Sequence, residues 1–75
     1  VMGVKVFGEP GDGETEQVIS LLEDAKIEFE FIDPTASMYG KRVMFSVTGT
    51  TRVPVLAVDG VAYRGLGDVR RYFAR

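Results

Sequence analysis

The chain has 75 residues, no cysteine, no histidine and a formal net charge of −2. This length predicts one domain over residues 1–75, and without the usual zinc ligands we expect no metal and no cofactor. The acidic balance argues against nucleic-acid binding, no apolar run approaches the roughly 20 residues that span a membrane, and the missing signal-peptide pattern predicts a cytoplasmic protein.

The first two predicted elements are a strand and a helix, joined by a glycine-rich turn. The run "VKVF" (4–7) is β-branched and aromatic, which predicts a short buried strand. Asp12 is a good N-cap residue. Glu14 and Glu16 would follow it in the first helical turn, where the helix dipole favours carboxylates. Apolar residues then recur at helical spacing in "VISLLEDA", which predicts a helix over about 13–25.

The middle of the chain predicts a second strand and a second helix. The run "IEFEFID" (27–33) alternates apolar and acidic residues, as a half-buried strand does. Four apolar residues further on lie at roughly helical offsets: Met38, Val43, Met44 and Val47. They predict a second helix, although Gly40 lowers its intrinsic stability.

The last third predicts a hairpin and a final helix. Asp59-Gly60 separates two apolar runs and favours a type I′ turn, which needs positive φ at both central positions. Pro54 would lie at the start of the first of these strands. The stretch 65–68 is predicted to be a turn whose Asp68 caps a short last helix. Four basic residues near the end are typical of a solvated helix face: Arg64, Arg70, Arg71 and Arg75.

The predicted order is β-α-β-α-β-β-α, an α/β fold. A crossover helix joins the first two strands, so these should be parallel with a right-handed connection. The last two should form an antiparallel hairpin. We therefore expect a mixed four-stranded sheet flanked by helices on both faces.

Several motifs, taken in order, resemble a minimal glutaredoxin of the thioredoxin fold. The resemblance runs from "VKVF" to "DVRRYF" and includes "TTRVP" (50–54), the hairpin "VLAVDGVAY" and, in part, "RGLGDV" (64–69). It implies a thioredoxin-like βαβαββα fold, a cis peptide before Pro54, and descent from thiol–disulfide oxidoreductases that serve as electron carriers. Fold-level likeness alone is no evidence of activity.

The family's Cys-x-x-Cys motif matches Asp12-Gly13-Glu14-Thr15 in this chain. Thiol–disulfide exchange needs a thiolate nucleophile, so neither the dithiol nor the monothiol reaction is possible, and no catalytic residue is predicted. Asp12 is interpreted as an inert cap, with contact to a ligand or metal as the alternative. The acidic residues of this turn do not have the spacing of a calcium loop.

The resemblance also implies a ligand groove beside this turn. In the family, the backbone before the cis-proline pairs with glutathione, and Val53 matches that position. Glu9 and Glu14 would repel the ligand's carboxylates, which Arg52 would partly offset, so glutathione binding should be weak. The predicted groove residues are Glu9, Asp12, Glu14, Thr15, Arg52, Val53, Pro54, Gly65, Gly67 and Asp68.

Three functional interpretations remain open from the sequence. The first is a non-catalytic module that binds a peptide, a protein or weakly glutathione. The second is an oxidoreductase by ancestry, whose cysteines were replaced or whose activity is supplied elsewhere. The third is a structural module, monomeric or dimeric, with Tyr39, Phe45 and Tyr63 as candidate exposed interface aromatics.

Overall fold

The computed structural model of the protein describes residues 3–74, so Arg75 lies outside the described part. Seven elements follow one another along the chain: β1 Val4–Phe7, α1 Gly13–Asp24, β2 Glu30–Ile32, α2 Gly40–Thr48, β3 Val55–Val58, β4 Val61–Arg64 and α3 Gly65–Phe73. This is the predicted βαβαββα order. None of the helices described has the length and apolar character needed to cross a membrane.

The strands form one mixed sheet in the order β2-β1-β3-β4. The crossover through α1 leaves β1 and β2 parallel, while β3 is antiparallel to both β1 and β4. Asp59 and Gly60 have φ angles of 50° and 87°, the left-handed values that a type I′ hairpin turn requires. The predicted thioredoxin-like α/β fold is confirmed.

The two faces of the sheet carry separate hydrophobic clusters. One cluster joins the sheet to α1 and α3 and consists of Val6, Val18, Leu22, Leu56 and Val69. The other joins it to α2 and consists of Phe7, Met44, Val55 and Ala57. Because neighbouring strand residues point to opposite faces, Val6 and Phe7 in β1 enter different clusters. Helices therefore cover both faces, as predicted.

The second strand is shorter than the predicted 27–33. Lys26 has a left-handed φ of 57°, and the Ile27 N–H still donates to the Leu22 carbonyl at 3.0 Å. Residues 26 and 27 therefore form the turn that ends α1, where the alternating sequence pattern predicted the start of a strand. Phe31 lies in the edge strand β2 and is 37% exposed, because one side of that strand has no neighbour.

The second helix is present over Gly40–Thr48, as predicted, but only one of the four apolar residues that indicated it is buried. Met44 is buried, but Met38, Val43 and Val47 are exposed. The buried side of α2 is formed instead by Met44 and Thr48, in line with Gly40 one turn earlier. A Cβ atom on Gly40 would lie 2.1 Å from the carbonyl oxygen of Pro34, so this glycine lets α2 approach the preceding loop.

The last helix begins earlier than predicted, and Asp68 does not cap it. Its N-cap is Arg64, and Asp68 lies within the first turn. The Asp68 carboxylate accepts a hydrogen bond from the Arg64 N–H at 3.3 Å and pairs with the Arg71 guanidinium. Tyr63 is not exposed as expected, because its ring packs 4.7 Å from that of Tyr72.

Alanine substitution should separate the packing role of one glycine from its helix propensity. Gly40→Ala should lower the free energy of unfolding by about 1–3 kcal/mol, because the new methyl group meets backbone that cannot rotate away. The matched control is Gly13→Ala at the start of α1, where a Cβ atom meets nothing within 4 Å. It should be neutral or stabilising by up to about 1 kcal/mol. Urea unfolding measures both, and equal effects would contradict the packing described for α2.

Candidate functional site

The turn between β1 and α1 is closed by the side chains of Asp12 and Thr15. Asp12 is the N-cap of α1, as predicted. Its Oδ2 atom accepts hydrogen bonds from the Thr15 N–H at 2.9 Å and from the Thr15 hydroxyl at 2.8 Å. The same hydroxyl oxygen accepts the Glu9 N–H at 3.3 Å. The two positions that match the family's cysteines are thus joined by hydrogen bonds.

Thr15 is fully buried, and the chain around it leaves no room. A Cβ atom on Gly8 would lie 2.4 Å from the Thr15 Cγ2 atom, so a glycine is required where β1 ends. The Asp12 carboxylate holds the helix start and anchors this buried side chain. It serves the structural role interpreted from the sequence.

The other acidic residues of the turn lie at the surface. Glu9, Glu14 and Glu16 are exposed. Within residues 3–74, no three acidic side chains come together in an arrangement that could hold a metal ion. Carboxylates of this kind near a helix start are stabilised by the helix dipole.

A cleft of about 380 Å³ lies beside this turn. It is lined by residues from the start of α1, the loop before β3 and the end of β4: Glu14, Thr50, Arg52, Val53, Arg64 and Gly65. The peptide bond between Val53 and Pro54 is cis. Pro54 itself is buried, and its carbonyl accepts the Gly65 N–H at 2.9 Å, which ties the two walls of the cleft together.

The backbone of Val53 is available to a ligand. Neither its N–H nor its C=O group makes a hydrogen bond with any of the residues described. Val53 is only half-buried and lies on the cleft wall. Backbone polar groups at partly buried positions normally find partners, so this one donor and one acceptor mark an edge at which an extended chain can pair.

Arg64 is a cleft residue that sequence reasoning missed. Its Nε–H donates to the Thr48 carbonyl at the end of α2 at 2.7 Å, where a cation is favoured by the helix dipole. That bond holds the guanidinium between α2 and the cleft. The alternation of β4 could have indicated this position of Arg64. Ala62 packs toward α2, and Arg64, two residues later in the strand, lies on the same face of the sheet.

The structure brings together some of the predicted groove residues and separates others. Glu14, Arg52, Val53 and Gly65 line the cleft. The remaining predicted residues do not line it: Glu9, Asp12, Thr15, Pro54, Gly67 and Asp68. Two arginines therefore face one glutamate in the cleft. The cleft is less acidic than the sequence indicated, because Glu9 does not line it.

A second groove, of about 260 Å³, lies between α1 and α3. Glu16 and Asp24 line it, together with Arg70. The Arg70 guanidinium donates to the Gln17 side-chain oxygen at 3.0 Å. This cation is engaged within the fold, so the groove offers less to a charged ligand than the cleft does.

The architecture is similar to that of solved glutaredoxins. The buckwheat glutaredoxin–glutathione complex superposes with a TM-score of 0.82 at 18% identity, covering 97% of this chain and 69% of that one. The holo form of glutaredoxin C1 from Populus tremula x tremuloides gives 0.81 at 21% identity, covering 99% and 76%. The glutaredoxin from Archaeoglobus fulgidus gives 0.77 at 17% identity, covering 100% and 89%.

These similarities establish the fold that the sequence motifs implied. The chain thus has the glutaredoxin-type thioredoxin fold and carries no cysteine. No protein-family model matches the sequence. No curated protein matches it either.

Removing the Asp12 carboxylate should destabilise the protein through the turn. Asp12→Ala should lower the free energy of unfolding by about 1–2 kcal/mol, because the cap is lost and the buried Thr15 hydroxyl loses its acceptor. Asp12→Asn keeps one acceptor oxygen and should cost less than half as much. Chemical denaturation measures both variants. Equal losses for alanine and asparagine would show that these hydrogen bonds do not stabilise the turn.

Proposed function

We propose that the protein is a non-catalytic binding module that takes a short extended peptide bearing a carboxylate, glutathione among such ligands, in the cleft beside Val53. The observation that carries the proposal is the free backbone edge of Val53 on the wall of a cleft that also holds two arginines.

The absence of thiol–disulfide exchange follows from chemistry. Disulfide exchange proceeds by attack of a thiolate on a disulfide sulfur, and this chain has no cysteine. The carboxylate and hydroxyl of Asp12 and Thr15 are engaged with each other. Neither group can form the mixed disulfide that the reaction requires.

The binding mode is the addition of a strand-like segment. A ligand backbone that pairs with the Val53 N–H and C=O gains affinity independently of side-chain identity. The loop on this side is held in place, since the Arg52 N–H donates to the Thr50 hydroxyl at 3.1 Å. A preorganised edge loses little conformational entropy when it binds.

Charge sets the ligand class and limits the affinity. Arg52 and Arg64 attract a carboxylate, whereas Glu14 on the facing helix repels it. A glutathione complex of the buckwheat protein has this fold, which supports a cleft of suitable size. With one opposing charge in the mouth, we expect weak binding, with a Kd on the order of 1 mM.

Glutathione titration of charge variants tests this function. In ¹⁵N NMR spectra, glutathione should shift the amides of Arg52, Val53 and Gly65. Arg52→Gln should weaken binding about fivefold, because a charge pair at a surface contributes about 1 kcal/mol. Glu14→Gln should strengthen binding by a similar factor, because it removes a like charge.

The matched control is Arg42→Gln in α2, which removes one positive charge outside the cleft lining and should leave the Kd unchanged. The proposal fails if no cleft amide moves at glutathione concentrations of about 20 mM, well above the expected Kd. It also fails if Arg52→Gln and Glu14→Gln change the affinity in the same direction.

A further inference from the structure

Exposed apolar side chains concentrate on one element of the fold. Among the described residues, seven large hydrophobic side chains are exposed, and five of them belong to α2 or the two residues before it: Met38, Tyr39, Val43, Phe45 and Val47. The other two lie in the edge strands β2 and β4. Tyr39, Val43 and Val47 share one side of the helix, whereas Phe45 lies on the opposite side, and an exposed apolar patch marks an interaction surface more often than single scattered residues do.

Helix α2 has two apolar sides, and only one of them packs against the sheet. Positions 40, 44 and 48 form the buried side. Tyr39, Val43 and Val47 follow the same spacing one residue behind, so they form a second stripe about 100° around the helix. Their exposed fractions are 60%, 53% and 54%. A surface helix ordinarily has one apolar stripe and a polar remainder.

The same segment carries positive charge alone. Residues 36–53 contain three basic residues and no acidic one, whereas the rest of the chain contains six basic and 11 acidic residues. Lys41 and Arg42 both lie on α2; at about 100° per residue Arg42 borders the apolar stripe, whereas Lys41 lies on the opposite side of the helix. Neither makes an ion pair or a hydrogen bond within residues 3–74 through its side chain.

We propose that α2 docks an acidic amphipathic helix of another protein. Apolar side chains at i, i+3, i+4 and i+7 on that helix would pack against the stripe formed by Tyr39, Val43 and Val47, the usual pattern for helix recognition. Its flanking carboxylates would meet Arg42, which borders the stripe, and complementary charge of this kind sets orientation and speeds association. The proposal is independent of the cleft and of any ligand there.

A second copy of this chain fits the surface less well. A symmetric pair of α2 helices packed through this stripe would bring Arg42 toward its own copy, and like charges at an interface are unfavourable. The acidic remainder of the chain offers no matching apolar stripe among the described residues, since Phe31 and Val61 are the exposed large hydrophobic residues outside α2 and its preceding turn.

An anionic membrane also fits less well. Each Lys or Arg near a lipid surface contributes about 1 kcal/mol, and α2 has two such residues. The rest of the chain carries an excess of acidic residues that the same surface would repel. The charge distribution therefore favours an acidic protein helix over a lipid surface.

The probe for this surface is a displayed peptide library with a fixed helical pattern. Leucines are held at i, i+3, i+4 and i+7, and the other positions vary among Glu, Lys and Gln. The library is selected on the full chain. Recovered peptides should be enriched in Glu over Lys, and in ¹⁵N NMR spectra they should shift the amides of Tyr39, Val43 and Val47.

Surface variants supply the controls. Val43→Ser with Val47→Ser should weaken the recovered peptides at least tenfold, and Arg42→Gln should slow association and reduce its salt dependence. Lys41→Gln removes the same charge on the opposite side of α2 and should have a smaller effect on both. Phe31→Ser removes an exposed apolar group elsewhere and should change neither. All of these sites are exposed, so the circular dichroism spectrum of each variant should match that of the parent protein. If a variant's spectrum differs, the amide shifts that the peptides cause in the unaltered chain decide the outcome.

Four results would overturn the proposal. They are recovery of no peptide, recovery of lysine-rich or uncharged peptides, and equal binding by the Val43/Val47 variant. The fourth is that the surface is taken by another occupant. This would be seen as concentration-dependent self-association in sedimentation, or as binding to phosphatidylcholine–phosphatidylserine vesicles, in either case abolished by the same two serines.

Discussion

The hydrogen-bonded pair of Asp12 and Thr15 determines how the start of α1 meets the sheet. One carboxylate oxygen accepts both the backbone N–H and the hydroxyl of Thr15, and the fully buried threonine fits against Gly8 at the end of β1. The turn is therefore rigid, and the polar groups of these two side chains have hydrogen-bond partners within it. Thr15, predicted from the resemblance to stand at the family's second cysteine position, is here part of the packing.

The cleft depends on two further ties between distant parts of the chain. The Pro54 carbonyl accepts the Gly65 N–H, which fixes the loop before β3 against the start of α3. Arg64 bonds to the last turn of α2, which fixes a cation at the cleft. Together they leave the Val53 backbone as an open edge between fixed walls. The proposed binding function rests on this edge.

Local signals predicted much of this fold from the sequence. The Asp59-Gly60 turn and the Asp12 cap are set by residues next to one another in the chain, and their predicted structures are confirmed. The inward face of α2 is different. It depends on the approach of Gly40 to the backbone of Pro34, which is a tertiary contact. Because α2 is apolar on two sides, its periodicity alone does not indicate which side meets the sheet.

The cleft was predicted in part for the same reason. Val53 and Arg52 were found through motif resemblance, but Arg64 enters the site because β4 ends beside α2, a relation that appears only when the strands are assembled. Glu9 was included because, by the motif resemblance, it matches a family position that contacts a carboxylate of glutathione. The turn takes its side chain elsewhere, so the electrostatic balance of the mouth could not be read from the sequence alone.

Hydrogen exchange at the Val53 amide tests the central claim, that a binding edge remains beside an unreactive turn. In the free protein this amide has no hydrogen-bond partner among the described residues, so it should exchange rapidly. Saturating glutathione should slow its exchange markedly while amides in α3 stay unchanged. An exchange rate at Val53 that glutathione leaves unaltered, in a sample where the ligand demonstrably binds, would contradict strand addition at this site.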